Sequence, residues 1–100
     1  MISRKWLRLS QPRDERSLDM KRNLTLLDTV VATVDVREQF VLTGDLGAIV
    51  EIYTHPTLAY EVEFVNPDGS TRALLTLTPD QVRGLAENDV ITTRALTLAA

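Results

Sequence analysis

The stretch Ala59 to Leu77, "AYEVEFVNPDGSTRALLTL", limits the possible folds more than any other part of the chain. Tyr60, Val62 and Phe64 alternate with Glu61 and Glu63, the period of two that sends successive side chains to opposite faces of a strand. "NPDGS" (Asn66 to Ser70) then has hairpin chemistry: Pro67 presets φ at the second turn position, and Asp68 and Gly69 tolerate left-handed backbone. On the far side Ala73, Leu75 and Leu77 alternate with Leu74 and Thr76. Two antiparallel strands follow, with one apolar face and one face carrying carboxylates. A lone hairpin is marginal in water, so further strands must complete its core.

They are found upstream and downstream. "TVVATV" (Thr29 to Val34) alternates Val30, Ala32 and Val34 against Thr29, Val31 and Thr33, as a half-buried strand does. "DVREQFVLTGD" reads as a long loop returning through Phe40 and Leu42, with Gly44 free to take positive φ. "AIVEIY" (Ala48 to Tyr53) is extended again, with Ala48, Val50 and Ile52 assigned to the core face and Ile49, Glu51 and Tyr53 to the other; Gly47 serves close backbone approach. "TPDQVRGL" carries a helix start, with Thr78 as cap, Pro79 at the first position and Gln81 three residues after the cap, ended by Gly84. Val90 to Thr93 supplies a closing strand. The expectation is an all-β, SH3-like five-stranded barrel with one short helical turn before the last strand, closure hiding the sheet edges.

One hundred residues fit one such domain, expected over residues 24–98. Residues 1–23 read as a basic N-terminal arm: Arg4, Lys5, Arg8, Arg13, Arg16, Lys21 and Arg22 face three acids, for a net +4. Met20 is an alternative start, which leaves open whether residues 1–19 belong to the natural protein. Residues 23–100 hold four arginines against eleven acids, a net of -7. Nucleic-acid binding draws its affinity from Lys and Arg, so an acidic body with no lysine after Lys21 disfavours such a partner and suits a basic protein. No apolar run is long enough to cross a membrane, and a soluble, cytoplasmic protein, monomer or homodimer, is expected. Cysteine is absent, which removes disulfides, thiolate metal sites and cysteine nucleophiles.

Candidate chemistry is sparse. Glu61 and Glu63 stand two apart on one strand face, where plain alternation accounts for them; joined by Glu51 from a neighbouring strand they make an acidic face. His55, the one histidine, precedes Pro56 in a turn and has no second imidazole or thiolate to share a metal with, so neither a metal nor a cofactor is expected. Asp28 and Asp35 bracket the first strand in turn roles. The serines lie in the arm or at the hairpin, outside any nucleophile-elbow context. Tyr60 and Phe64 point inward with Val62, leaving Tyr53 as the exposed aromatic. Glu51, Tyr53, Glu61, Glu63 and Arg72 are the expected partner contacts of a non-enzymatic barrel.

The run from "LLDTVV" (Leu26 to Val31) through "GDLGAIVEIY", "AYEVEFVNPDG" and "ALLTLTPDQVR" to Val90–Leu96 resembles the bacterial domain of unknown function 4926 family. The resemblance implies a compact SH3-like domain with no established activity, and a protein-binding role as an antitoxin, immunity or accessory subunit. "TGDLGAIVEI" (Thr43 to Ile52) is also similar to the KOW motif of ribosomal and transcription-elongation barrels. That similarity implies the alternative, an RNA or ribosome-associated barrel using its basic arm, although Thr43, Asp45 and Glu51 stand where those barrels carry Lys and Arg.

Overall fold

A computed structural model describes residues 24–96. The expected basic arm, residues 1–23, and the last two residues of the expected domain lie outside the described residues. The described part is all-β: β1 (Thr29–Ala32), β2 (Leu46–Tyr53), β3 (Ala59–Val65), β4 (Thr71–Leu77) and β5 (Val82–Gly84), with a 3₁₀ turn at Arg37–Gln39. The strands form one antiparallel sheet in the order β4-β3-β2-β1-β5. Short turns join β2 to β3 and β3 to β4, the longer loop over residues 33–45 returns β1 to β2, and β5 crosses back to the free edge of β1. Ala73 and Leu77 of β4 and Val82 of β5, at the two ends of this order, share one core cluster with Val30, Ile49, Tyr60, Val62 and Phe64. The sheet therefore curls round its own apolar face, which is compatible with the expected SH3-like barrel.

The β3–β4 hairpin follows its sequence closely. Tyr60, Val62 and Phe64 are buried, as are Ala73 and Leu77. The turn is held by Asn66 N donating to the Ser70 carbonyl (2.8 Å) and by Asp68 Oδ1 accepting from Ser70 N (3.0 Å), with Gly69 at φ 90°. The loop before β2 also behaves as its glycine suggests: Gly44 takes φ 95°, and Leu42 N and Asp45 Oδ2 close the turn at 3.0 Å. A Cβ on Gly47 would stand 2.6 Å from Val62 Cγ1 and 3.0 Å from the Glu63 carbonyl, so β2 and β3 approach closely only because that residue is glycine.

Four expectations need correction. The first strand stops at Ala32 rather than Val34 because Thr33 N turns to the Gln81 carbonyl and its hydroxyl to the Asp80 carbonyl. The helical turn expected to run from Thr78 to Gly84 ends at Gln81: Thr78 N donates to the Gln81 side-chain oxygen at 2.9 Å, and Gln81 N donates to the Thr78 carbonyl. The next residues pair with β1 as β5, a tertiary alternative stronger than one more helical turn. Val90 to Thr93 is accordingly not a strand. It belongs to a tail tied down by side chains, with Arg83 gripping Asp89 through both guanidinium nitrogens at 2.8 and 2.9 Å.

The fourth concerns β2. Ile49 pairs with Val62 and Glu51 with Glu61, so Val50 is an extra residue, a β-bulge. Ile49 is wholly buried and Val50 is exposed, whereas Ile52 packs against the core. The assigned alternation is right from Glu51 to Tyr53 and inverted before the bulge.

Candidate functional site

The sheet face turned away from the core gathers four of the five expected contact residues. The β2 bulge restores Glu51 and Tyr53 to this face, and β3 presents Glu61 and Glu63 there by simple alternation. Glu51 and Glu61 are direct cross-strand neighbours. Tyr53 pairs with Ala59 and so lies diagonal to Glu61, to which it is hydrogen-bonded. Partial removal from water, then the charges of Glu61 and Glu51 and that hydrogen bond, hold its phenol above the ordinary tyrosine range.

β4 contributes the polar supports. Thr76 Oγ1 donates to Glu61 Oε1 (2.7 Å) and Thr71 Oγ1 to Glu63 Oε2 (2.5 Å), fixing two carboxylates in place. Leu74, the register partner of Glu63, is 53% exposed between them. The result is a flat face of three carboxylates, one phenol and one leucine.

Arg72, the fifth expected contact, is not on it. A second irregularity, between Phe64–Ala73 and Val65–Thr71, leaves Arg72 unpaired in the ladder. Its side chain, only 10% exposed, turns to Asp45 (3.4 Å) and donates to the carbonyls of Phe40 (3.1 Å) and Val65. Arg94 reaches the same carboxylate, at 2.6 and 3.0 Å. Burial opposes ionisation of Asp45, but the Arg94 hydrogen bond, the Leu42 N–H and the charges of both arginines outweigh it and hold the carboxyl below the usual range. Neither arginine was legible as a partner of Asp45: they lie 27 and 49 residues along the chain, and no local pattern spans such distances.

This use of arginine decides the electrostatics of the outer face. All four arginines of the described residues pair with aspartates: Arg37 with Asp35, Arg83 with Asp89, and Arg72 and Arg94 with Asp45. Among the described residues no ion pair involves Glu51, Glu61 or Glu63, so their charge stays uncompensated within the sheet.

The other candidates are accounted for locally. Asp28 accepts from Thr25 N at 2.9 Å, and Asp35 accepts from the amide and hydroxyl of Thr43 at 2.7 and 2.9 Å, both turn roles. His55 is exposed in the turn before Pro56. Among the described residues no three His, Asp or Glu side chains are grouped to hold a metal ion. An open groove of about 310 Å³ lies between Phe40 and Arg94–Leu96. The Thr43–Gly47 loop is occupied internally, Thr43 by Asp35 and Asp45 by two arginines.

Fold and face together define a small all-β domain whose most distinctive surface is a carboxylate-bearing sheet face. The chain belongs to the family described as Domain of unknown function (DUF4926), whose model matches residues 26–84, from the turn before β1 to the last residue of β5. The resembling stretch was expected to reach Leu96; the match ends before the tail that carries Arg94. No curated protein and no solved structure matches the chain.

Proposed function

We propose that the protein is a non-enzymatic binding domain that takes a basic protein partner on the face formed by Glu51, Tyr53, Glu61, Glu63 and Leu74. The observation that carries this reading is the Glu51–Glu61 pair. Like charges directly opposite one another on neighbouring strands are destabilising, and nothing within the described sheet neutralises them. A lysine or arginine from a partner would relieve that repulsion, while Tyr53 and Leu74 supply apolar area of the kind that anchors interfaces. An antitoxin, immunity or accessory subunit in a bacterial cytoplasm fits such a face. Arg72 and Asp45 support the scaffold in this reading and make no contact with the partner.

The test is affinity purification of the tagged full-length protein from cells that also express its genomic neighbours, beside the variant Glu51→Gln/Glu61→Gln/Glu63→Gln. A protein retained by the wild type, released by high salt and lost from the variant supports the reading. Equal retention by both would reject the face, and the absence of any retained protein would reject the binding role.

A further inference from the structure

We propose that Asp45 and the Phe40 carbonyl form an arginine seat for an extended segment of a partner protein, and that Arg94 of the chain's own tail fills it as a displaceable stand-in. The seat shares no residue with the outer sheet face, so the inference goes beyond the partner reading and does not rest on it.

The seat is built without Arg94. Asp45, 12% exposed, has Oδ2 fixed by Leu42 N (3.0 Å) and approached by Arg72 Nη2 (3.4 Å). Neither contact uses Oδ1. Arg94 takes that side, with Nε donating to Oδ1 at 3.0 Å and Nη2 donating to Oδ2 at 2.6 Å and to the Phe40 carbonyl at 3.3 Å. A carboxylate presenting both oxygens, with a carbonyl beside it, matches the planar fork of a guanidinium rather than the point charge of a lysine. Phe40, Leu42, Asp45 and Arg72 all lie within residues 26–84, the part that matches the family, and Arg94 lies outside it. The domain thus carries the seat and the tail supplies the occupant.

That occupant is loosely held. Asp89 anchors the tail, accepting from Arg83 Nη1 (2.8 Å) and Ala86 N (2.7 Å). Between Asp89 and Arg94, among the described residues, no hydrogen bond joins Val90 to Thr93 to the sheet, and Val90 and Ile91 are 84% and 63% exposed. Arg94 and Leu96 border two open grooves, one of about 310 Å³ against Phe40 and Leu42 and one of about 350 Å³ against Leu46 and Val65. A segment with open space on two sides has few packing contacts to lose when it leaves. Moving it aside uncovers a carboxylate seat next to Phe40, Leu46 and Val65, all exposed apolar side chains. An extended partner segment with one arginine among small and apolar residues, the chemistry of Thr93 to Leu96, is matched there in both charge and apolar area.

The test titrates full-length, isotope-enriched protein with a blocked peptide of the sequence Val90 to Leu96. Amide signals of Phe40, Leu42 and Asp45 should shift, and Arg94→Ala should bind the peptide about two- to five-fold tighter than the wild type, because a partly exposed ion pair held in cis competes only modestly. The same peptide carrying Arg94→Gln should leave those signals unmoved in both proteins. No shift in the Arg94→Ala protein, equal affinity of the two proteins, or shifts that the glutamine peptide reproduces would overturn the proposal. Shifts confined to Glu51, Glu61 and Glu63 overturn it as well, since they place the peptide on the outer face. Seat signals that move with protein concentration in the absence of peptide would put a second copy's tail in the seat, which also overturns it. No genomic neighbour enters this titration, so its failure leaves the capture experiment on the outer face to be judged on its own.

Discussion

Asp45 offers the sharpest test of how the loop before β2 is held. Its side chain is 12% exposed and faces Arg72, itself 10% exposed, and Arg94, 35% exposed. Replacing Asp45 by alanine removes the carboxylate that, among the described residues, pairs with the Arg72 guanidinium, which cannot return to water without leaving the Phe40 and Val65 carbonyls. Removing one partner of such a buried pair costs about 3 kcal/mol or more, because the remaining charge is uncompensated. Arg94 can swing into solvent, so Arg94→Ala should cost under about 1 kcal/mol, as exposed pairs do. For a domain of this size, 3 kcal/mol corresponds to a fall of about 15 °C in the unfolding midpoint. Urea denaturation of the wild type, Asp45→Ala, Arg94→Ala and the double variant, followed by far-UV circular dichroism, measures both terms. The expected order is Asp45→Ala far below Arg94→Ala, with the double variant close to Asp45→Ala. Equal losses for the two single variants, or a loss for Asp45→Ala below about 1 kcal/mol, would refute the burial argument, since surface pairs behave that way.

Further outcomes follow from other positions. Gly47→Ala should destabilise by about 1–3 kcal/mol, the cost of overpacking, because the new Cβ meets Val62 and the Glu63 carbonyl; thermal unfolding checks it. Glu51→Lys should stabilise the free protein by about 0.2–1 kcal/mol by replacing a like-charge pair with an opposite one, yet abolish binding of a basic partner; stability and capture assays must move in opposite directions. Ile49→Ala should cost about 2–5 kcal/mol and Val50→Ala under about 0.5 kcal/mol, a contrast that equal losses would contradict. The carboxyls of Asp45 and Asp89 are held below their ordinary range, Asp89 chiefly by the Arg83 hydrogen bond. Groups depressed in the folded state stabilise it above their unfolded value, near about 4, and that contribution disappears as pH falls through the folded value. Denaturant midpoints should therefore decline below about pH 4 in the wild type and decline less steeply in Asp45→Ala.

The hairpin was readable because its information is local: alternation from Tyr60 to Phe64 and the Asn66–Ser70 turn leave one register for both strands. The same holds for Gly44 and Gly47, whose backbone roles follow from having no Cβ. Three features were not readable, each for a stated reason. β5 lies where a helix cap is written, because pairing with β1 is a tertiary contact between Val82 and Ala32, fifty residues apart. Arg72 looked like a surface cation and is an internal one, because a bulge cannot be seen in a run of residues that alternates without interruption. Ile49 and Val50 are both apolar and β-branched, so composition is blind to which of them is the extra residue. The acidic face itself was legible in outline, since Glu51, Glu61 and Glu63 fall on correctly assigned strands; its lack of cations was not, since that depends on where every arginine goes.

The bulge at Val50 has a consequence for how this surface can change. Were the same residues paired without the bulge, regular alternation running on from Ile49 through Val50 would turn every later side chain over: Ile52 would occupy the outward slot and Glu51 an inward one. The protein's charged surface is thus tied to a count of residues as much as to their identity. An in-frame loss of the Val50 codon would therefore straighten the strand and leave Glu51 opposite Glu61, whereas one residue more in the ladder without a bulge would erase the face.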